Sequence, residues 1–240
     1  MCEYNAITAA KIAQEHFEGQ FPLVIACQTL KGVLEPEPRK LIENAMDDFQ
    51  ILGGLPAKDK GKEAEHIDQL MLWAKDTGKR VHVHVDQLNH PSEKETELLA
   101  RKTIEHGLEG NITAVHSISL AAHPKVYREE VYKICQDANL SFIACPSAWI
   151  DHPRREDLVP SHNALTPVDE LIERGLTVAI GSDNICDVYK PFCDGDMINE
   201  LRLLIDGCKI YDTDTLLEIC VYNGLEIIGL GGTRDGEIIK

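Results

Sequence analysis

Six short apolar segments alternate with amphipathic segments along this 240-residue chain, and the alternation limits its fold more than any other feature. The apolar segments have the composition of buried strands, and the segments between them have the periodicity of helices. Strands separated by helices pair in parallel, with both faces of the sheet covered. We therefore predict an α/β fold with about six parallel strands. The predicted strands are 21–27, 50–56, 80–86, 111–117, 140–146 and 176–184.

Helices are predicted between these strands, and two or three more complete the chain. One of them carries Ser92 and Glu95 at the spacing of a capping box and stops at Gly107. Another has Thr166 as its expected cap and Pro167 in its first turn. The predicted helices are 6–17, 36–49, 62–77, 91–107, 124–138 and 166–175.

The third predicted strand, VHVHVD (residues 81–86), has two different faces. Side chains two positions apart on a strand share a face, so valine covers one face and His82, His84 and Asp86 cover the other. Packing against helices accounts for the valine face. Because a core does not need the polar face, that face indicates a functional site.

Residues suited to metal binding end three of the predicted strands, namely His84, His116 and Asp183. Chemistry in β/α barrels and open α/β sheets is located at this edge. Imidazole and carboxylate groups bind zinc or iron, so we expect a divalent metal ion here. His82, deeper on the strand, is interpreted as an orienting or core histidine. Weaker candidates, equally compatible with loop or capping roles, are His123, Trp149, His152, Arg154 and Asp187.

The amino-acid composition limits the classes of partner that the protein is expected to bind. The net charge of −16 disfavours nucleic acid and anionic membranes. No apolar stretch is long enough to span a bilayer, and the N-terminal residues have no signal-peptide core. The eight cysteines form no C-x-x-C pair, which argues against a zinc–thiolate site and favours a reducing compartment. A cytoplasmic protein with a small-molecule substrate is the expectation.

Three segments in order, VHVHVDQ, TAVHS and AIGSDNICD, resemble motifs of the amidohydrolase superfamily, most closely its cytosine deaminase-like branch. The resemblance implies a metal-dependent TIM-type β/α barrel. It also implies hydrolysis of a non-peptide C–N bond in a small cyclic or polar substrate. At the matching motif positions, the resemblance implies that His84 and Asp183 are metal ligands. His116, which ends the strand after that of His84, joins them at the metal.

Two departures from the family pattern change these expectations. No His-x-His pair precedes His82, although the family's first strand carries one. We therefore expect residues 1–240 to form a single hydrolase-like domain that lacks the first two barrel strands and the small β-domain. Gln87 stands where the deaminases have glutamate, and a carboxamide does not titrate usefully. Within the resemblance, Asp183 would shuttle the proton, His116 would polarise the carbonyl and Gln87 would hold the substrate.

Two alternatives stay open at this stage. The chain is a non-catalytic partial barrel, whose exposed sheet edges favour a homo-oligomer. Or it is an open α/β sheet that binds a small ligand without metal chemistry. Strand order separates the last alternative from a barrel, because a doubly wound sheet reverses order at a switch point.

Overall fold

The computed structural model describes residues 2–150 and 164–231. In these residues six strands form one sheet in which every neighbouring pair is parallel and the spatial order equals the chain order. No reversal of order occurs, so the doubly wound alternative is wrong and the sheet is an arc of a TIM-type barrel. The strands are β1 (Ala26–Cys27), β2 (Ile51–Gly54), β3 (Arg80–Val85), β4 (Ile112–His116), β5 (Ser141–Ala144) and β6 (Val178–Ile180).

Helices connect successive strands, as the alternation predicts. In the described part of the chain, no helix is both long enough and apolar enough to cross a membrane. The helices are α1 (Cys2–His16), α2 (Pro36–Asn44), α3 (Glu63–Thr77), α4 (Glu95–His106), α5 (Lys125–Asp137), α6 (Pro146–Trp149), α7 (Val168–Glu173), α8 (Met197–Cys208), α9 (Thr213–Leu217) and α10 (Asn223–Ile227). Short 3₁₀ turns occupy Met46–Asp48, Pro56–Lys58 and Ile118–Ala122, and a π-helical turn spans Glu218–Tyr222.

The first strand is shorter than its apolar sequence predicts. Only Ala26–Cys27 pairs with β2, because side chains bind the preceding backbone. Gln14 Nε2 donates to the carbonyl of Leu23 at 2.6 Å. Gln50 Oε1 accepts from the amide of Ile25 at 2.8 Å. These contacts satisfy backbone groups that a longer strand would have paired within the sheet.

Two predicted helix caps are also wrong. Helix α4 begins at Glu95, so Ser92 lies outside it and makes no capping box. Helix α7 begins at Val168, and the hydroxyl of Thr166 donates to the carbonyl of His116 instead of capping the helix. Gly107, in contrast, ends α4 as predicted, with the left-handed φ of +65° that suits glycine.

The core lies between the outer face of the sheet and the helices. The three valines of β3 are fully buried there, together with Leu70 of α3 and Leu99 of α4. This packing accounts for the valine face of the strand. On the other face, at the carboxyl ends of the strands, the sheet borders a cavity.

Candidate active site

A cavity of about 880 Å³ lies at the carboxyl ends of the strands. His82, His84, Gln87, His116 and Asp183 all line it. The structure therefore brings together every residue that the strand-end argument selected. This is the edge of a parallel β/α sheet at which substrates bind in other proteins.

The backbone at the end of β4 turns His116 towards the cavity. In the β3–β4 register His116 pairs with Val85, whose side chain lies on the core face. Strand alternation alone would place His116 in the core. Its φ of +76° breaks the alternation and directs the ring to the cavity. Asp183 has a φ of +62° just after β6. Such left-handed backbone is uncommon outside glycine and concentrates at functional sites.

Asp86 shows the converse effect. Its position in the predicted strand 80–86 places its side chain beside His84, but its φ of +52° turns it to the helix side of the sheet. There its carboxylate accepts from the amides of Glu95 at 2.7 Å and Thr96 at 3.1 Å, and it is 1% exposed. The expectation that Asp86 shares the face of His84 is therefore wrong. Asp86 binds the N-terminus of α4.

The two strand-end histidines are in direct contact. His84 Nδ1 lies 3.0 Å from His116 Nε2. Burial lowers the pKa of His84 to about 4, with a smaller contribution from His82. Burial also lowers the pKa of His116 to about 3, with a smaller contribution from His84. Both imidazoles are therefore neutral at neutral pH, which is the form that binds metal ions or donates one hydrogen bond.

Asp183 completes the group at a longer distance. Its Oδ2 lies 4.0 Å from His116 Nε2, which is beyond a direct hydrogen bond. Burial raises the pKa of Asp183, and the negative charges of Asp187 and Glu200 raise it further. A carboxyl with a raised pKa is better able to accept and return a proton near neutral pH.

The remaining sequence candidates take different positions. His82 lies 3.5 Å from the carbonyl of Ile227, in keeping with an orienting or core role. His123 binds the carbonyl of Glu93 at 2.7 Å and stacks on Tyr127. Asp187 accepts from the side chain of Asn184 and from two following amides, which stabilise the loop after β6. His152 and Arg154 lie outside the described residues.

Tertiary contacts give one weaker candidate a definite partner and add residues that the sequence did not indicate. Trp149, a weaker candidate in the sequence, donates from Nε1 to His116 Nδ1 at 3.2 Å, so it contacts a residue of the candidate site directly. Gln28 at the end of β1 and Lys190 in the loop after β6 also line the cavity. The chain position of Gln28 after a short apolar strand was the one signal that the sequence offered for it.

The donor chemistry fits a divalent ion. A neutral imidazole from His84 and a carboxylate from Asp183 are ligands of zinc and iron. The 3.0 Å between the facing nitrogens is close to the roughly 3.3 Å that separates two nitrogen ligands on a tetrahedral ion with bonds of about 2.0–2.1 Å. The longer distance to Asp183 means that the three residues share one site but do not surround a point closely. Metal binding here remains a prediction.

A tighter group of ligand atoms lies elsewhere. Among the described residues, Asp68, Glu105 and His106 are the group of three whose ligand atoms all lie within 4.8 Å of one another. Lys102 forms ion pairs at 2.9 Å with both Asp68 and Glu105. This group is therefore a surface ion-pair cluster between α3 and α4, because a lysine already supplies its positive charge.

Comparison with known proteins identifies relatives. An uncharacterized protein of Haemophilus influenzae is 49% identical over 175 residues, covering 72% of this chain and 63% of that protein. The N-isopropylammelide isopropyl amidohydrolase of Pseudomonas sp. is 26% identical over 197 residues, covering 81% and 46%. The crystal structure of 5-methylcytosine deaminase from Klebsiella pneumoniae superposes with a TM-score of 0.87 at 24% identity, covering 94% and 57%.

These matches describe part of each relative, since the chain spans 63% or less of the length of all three. The similarity to the deaminase structure shows that the fold is shared. The profile of the amidohydrolase family matches residues 33–233, which include every strand from β2 onward and all the site residues described above except Gln28. The chain therefore belongs to the amidohydrolase family.

Proposed function

We propose that this protein is a metal-dependent hydrolase that cleaves a non-peptide C–N bond in a small cyclic or polar substrate. The observation that carries the proposal is the meeting of His84, His116 and Asp183 on the wall of one cavity in a chain of the amidohydrolase family. The proposal treats residues 1–240 as a single hydrolase-like domain. It also assigns the protein to the cytoplasm.

His84 and Asp183 would hold the divalent ion, zinc or iron. When bound, such an ion lowers the pKa of a water molecule and polarises an oxygen of the substrate. Asp183 would accept a proton from the attacking water and return it to the departing nitrogen, because its carboxylate lies on the cavity wall beside His116. His116 donates a hydrogen bond to the oxygen on which negative charge develops.

The cavity lining favours a flat, polar, nitrogen-containing ring as substrate. Gln28 and Gln87 each offer an amide donor and an amide acceptor, which match the alternating edge of such a ring. Trp149 and Tyr189 provide aromatic surface on the same cavity. The relative from Pseudomonas is named for hydrolysis of N-isopropylammelide. We therefore propose amino-substituted pyrimidines or triazines as the first compounds to examine.

The test is hydrolysis of a panel of amino-pyrimidines and amino-triazines by the purified chain supplied with zinc or ferrous iron. Release of ammonia or amine is expected for at least one compound. Asp183→Asn keeps the shape of the side chain and removes its proton transfer, so its rate should fall by about 10²- to 10⁴-fold. The proposal would be refuted if no compound of the panel were hydrolysed, or if Asp183→Asn were as fast as the wild type.

A second candidate function is binding of such a compound without hydrolysis. The observation that favours it is Gln87, which lines the cavity with a group that does not titrate. Calorimetric binding of panel compounds without product formation would support this function. In that form the protein would act as a partial barrel. The outer strands of the described sheet, β1 and β6, would then be available for self-association.

A further inference from the structure

The loop after β3 carries Gln87, and both backbone amides that flank Gln87 bind glutamate side chains. The amide of Asp86 donates to Glu95 Oε2 at 3.2 Å, and the amide of Leu88 donates to Glu93 Oε2 at 2.7 Å. Amides beyond the end of a strand have no partner in the sheet, so side chains can supply their acceptors. Gln87 itself is half-buried and lines the cavity. The peptide backbone is therefore held on each side of a cavity residue.

The two glutamates are themselves fixed to the ends of strands. The amide of Glu95 donates to Asp86 Oδ1 at 2.7 Å, so Asp86 and Glu95 exchange two hydrogen bonds. His123, in the loop after β4, donates from Nε2 to the carbonyl of Glu93 at 2.7 Å. The two acceptors therefore have defined positions relative to the sheet, and so does the backbone that they bind.

We propose that Glu93 and Glu95 are positioning residues that hold the backbone on both sides of Gln87 and so direct its carboxamide into the cavity. The inference rests on the proposed function, in which Gln87 holds the substrate ring. Neither glutamate is among the described residues that line the cavity, so both act through Gln87. A binding side chain that is ordered in advance loses less conformational entropy when a ligand binds, which raises the affinity.

The contact between Glu95 and the loop depends on pH. Burial raises the pKa of Glu95 to about 7, against the hydrogen bond from Asp86, and negative charges nearby also raise it. Because this pKa lies above the ordinary value of 4.5, protonation favours the bound position of Glu95, and the contact weakens as the pH rises through about 7. The charged and titratable groups around Glu95 and its partners are Asp86, Glu93, Glu63, Lys60, Lys94, Glu97, Arg101, His90 and His123.

Hydrogen exchange and ¹⁵N relaxation of the full chain test the positioning without a ligand. The amides of Asp86 and Leu88 should be protected in the wild type. Glu95→Ala should raise the exchange rate of the first, and Glu93→Ala that of the second, by about tenfold or more. Both variants should increase the mobility of the Gln87 side-chain amide. The Gln variants at the same two positions keep an acceptor oxygen and should restore the wild-type values.

Glu97→Ala is the matched control. It removes a carboxylate of the same helix that binds Arg101 and Tyr127. It should change neither the exchange of the two loop amides nor the mobility of Gln87.

Calorimetric binding of melamine and 4-aminopyrimidine tests whether the effect passes through Gln87. Glu95→Ala should raise the Kd by up to about fivefold, the factor that one neutral hydrogen bond contributes. The wild-type affinity should fall as the pH rises through 7, and Glu95→Gln should remove this step. In a Gln87→Ala background, Glu95→Ala should not raise the Kd further, whereas a general loss of structure would.

The proposal would be overturned by unprotected loop amides in the wild type, or by a Gln87 side chain that stays equally ordered in both alanine variants. Additive losses of affinity in the double variant would also overturn it. A pH step that persists in Glu95→Gln would remove Glu95 from the proposal. If Glu95→Ala does not fold, Glu93→Ala carries the same test, because its contact with Leu88 is exposed. If exchange and relaxation are as expected but neither compound binds, the proposed function fails alone.

Discussion

The carboxylate of Asp86 accepts a hydrogen bond from the backbone amide of Thr96 at 3.1 Å, so the residue that directly follows β3 also caps the N-terminus of α4. The same carboxylate accepts the amide of Glu95 at 2.7 Å. Helix N-termini carry unpaired amides and a partial positive charge, and a carboxylate satisfies both. This contact orients α4 relative to the strand that carries His84.

Replacing Asp86 tests this capping role. Asp86→Ala should lower the free energy of unfolding by about 1–2 kcal/mol, because the amides of Glu95 and Thr96 lose their acceptor. Asp86→Asn retains one acceptor oxygen, so its free energy of unfolding should lie between the values for Asp86→Ala and the wild type. Urea denaturation followed by circular dichroism measures both. Asp212→Ala removes an exposed cap from α9 and should lower the free energy of unfolding by less than Asp86→Ala does. Equal losses at the two sites would contradict the special role of Asp86.

Gly53 of β2 permits the close approach of β1. A Cβ at this position would lie 2.1 Å from the carbonyl oxygen of Cys27, which belongs to the backbone and cannot rotate away. Gly53→Ala should therefore destabilise the fold by about 1–3 kcal/mol. Gly224→Ala is the matched control, because nothing lies within 4 Å of its Cβ position and it is helical. If thermal unfolding shows similar midpoints for the two variants, this explanation of Gly53 is incorrect.

Glu170 of α7 links this helix to α5 through Arg128 and Tyr132. Arg128 donates to both carboxylate oxygens at 2.9 and 2.5 Å, and the Tyr132 hydroxyl donates at 2.8 Å. Burial acts to raise the pKa of Glu170, but the hydrogen bonds outweigh it and hold the pKa below the ordinary value of 4.5. The stabilisation is therefore complete above pH 4.5 and is lost as the pH falls through the lower value in the folded protein.

Urea unfolding at neutral pH and well below pH 4.5 measures this dependence. The wild type should lose more stability than Glu170→Gln over that interval, since the variant has no carboxylate to protonate. Parallel losses in the two proteins would show that Glu170 does not contribute to the acid sensitivity.

Gln87 is the site residue whose replacement should add activity. A glutamate on the cavity wall at this position would carry a proton between water and a departing nitrogen, which a carboxamide does not do. Gln87→Glu should raise deaminase activity against amino-pyrimidines or amino-triazines by about 10²-fold. Gln28→Glu, on the same cavity, is the control and should not raise it. An unchanged rate in Gln87→Glu across the panel would argue that the native reaction is not a deamination.

The sequence predicted the architecture well because parallel α/β folds depend on local patterns. The apolar runs around VHVHVD and TAVHS match β3 and β4 to within a residue or two. The carboxyl-edge rule then located His84, His116 and Asp183 on one cavity without any knowledge of their distances. These inferences need only periodicity and chain order.

Other features depend on backbone reversals and on distant contacts. Left-handed conformations at Asp86 and His116 exchange the faces that simple alternation assigns. Aspartate and histidine adopt this conformation more often than most residues, but the residue type alone does not predict at which position it occurs. The bond from Trp149 to His116 joins residues that are 33 positions apart, and Glu200 reaches Ser147 across 53 positions. Tertiary packing creates these contacts, so no local pattern contains them.

Metal content is the measurement that tests the central claim most directly. The purified chain, loaded with zinc or ferrous iron and freed of excess, should retain about one ion per chain, because an imidazole and a carboxylate line the same cavity. His84→Ala and Asp183→Ala should each lose most of it. Glu105→Ala, which alters the surface cluster at Lys102, should retain it. Equal metal content in the wild type, His84→Ala and Asp183→Ala would contradict the assignment of this cavity as a metal-dependent active site.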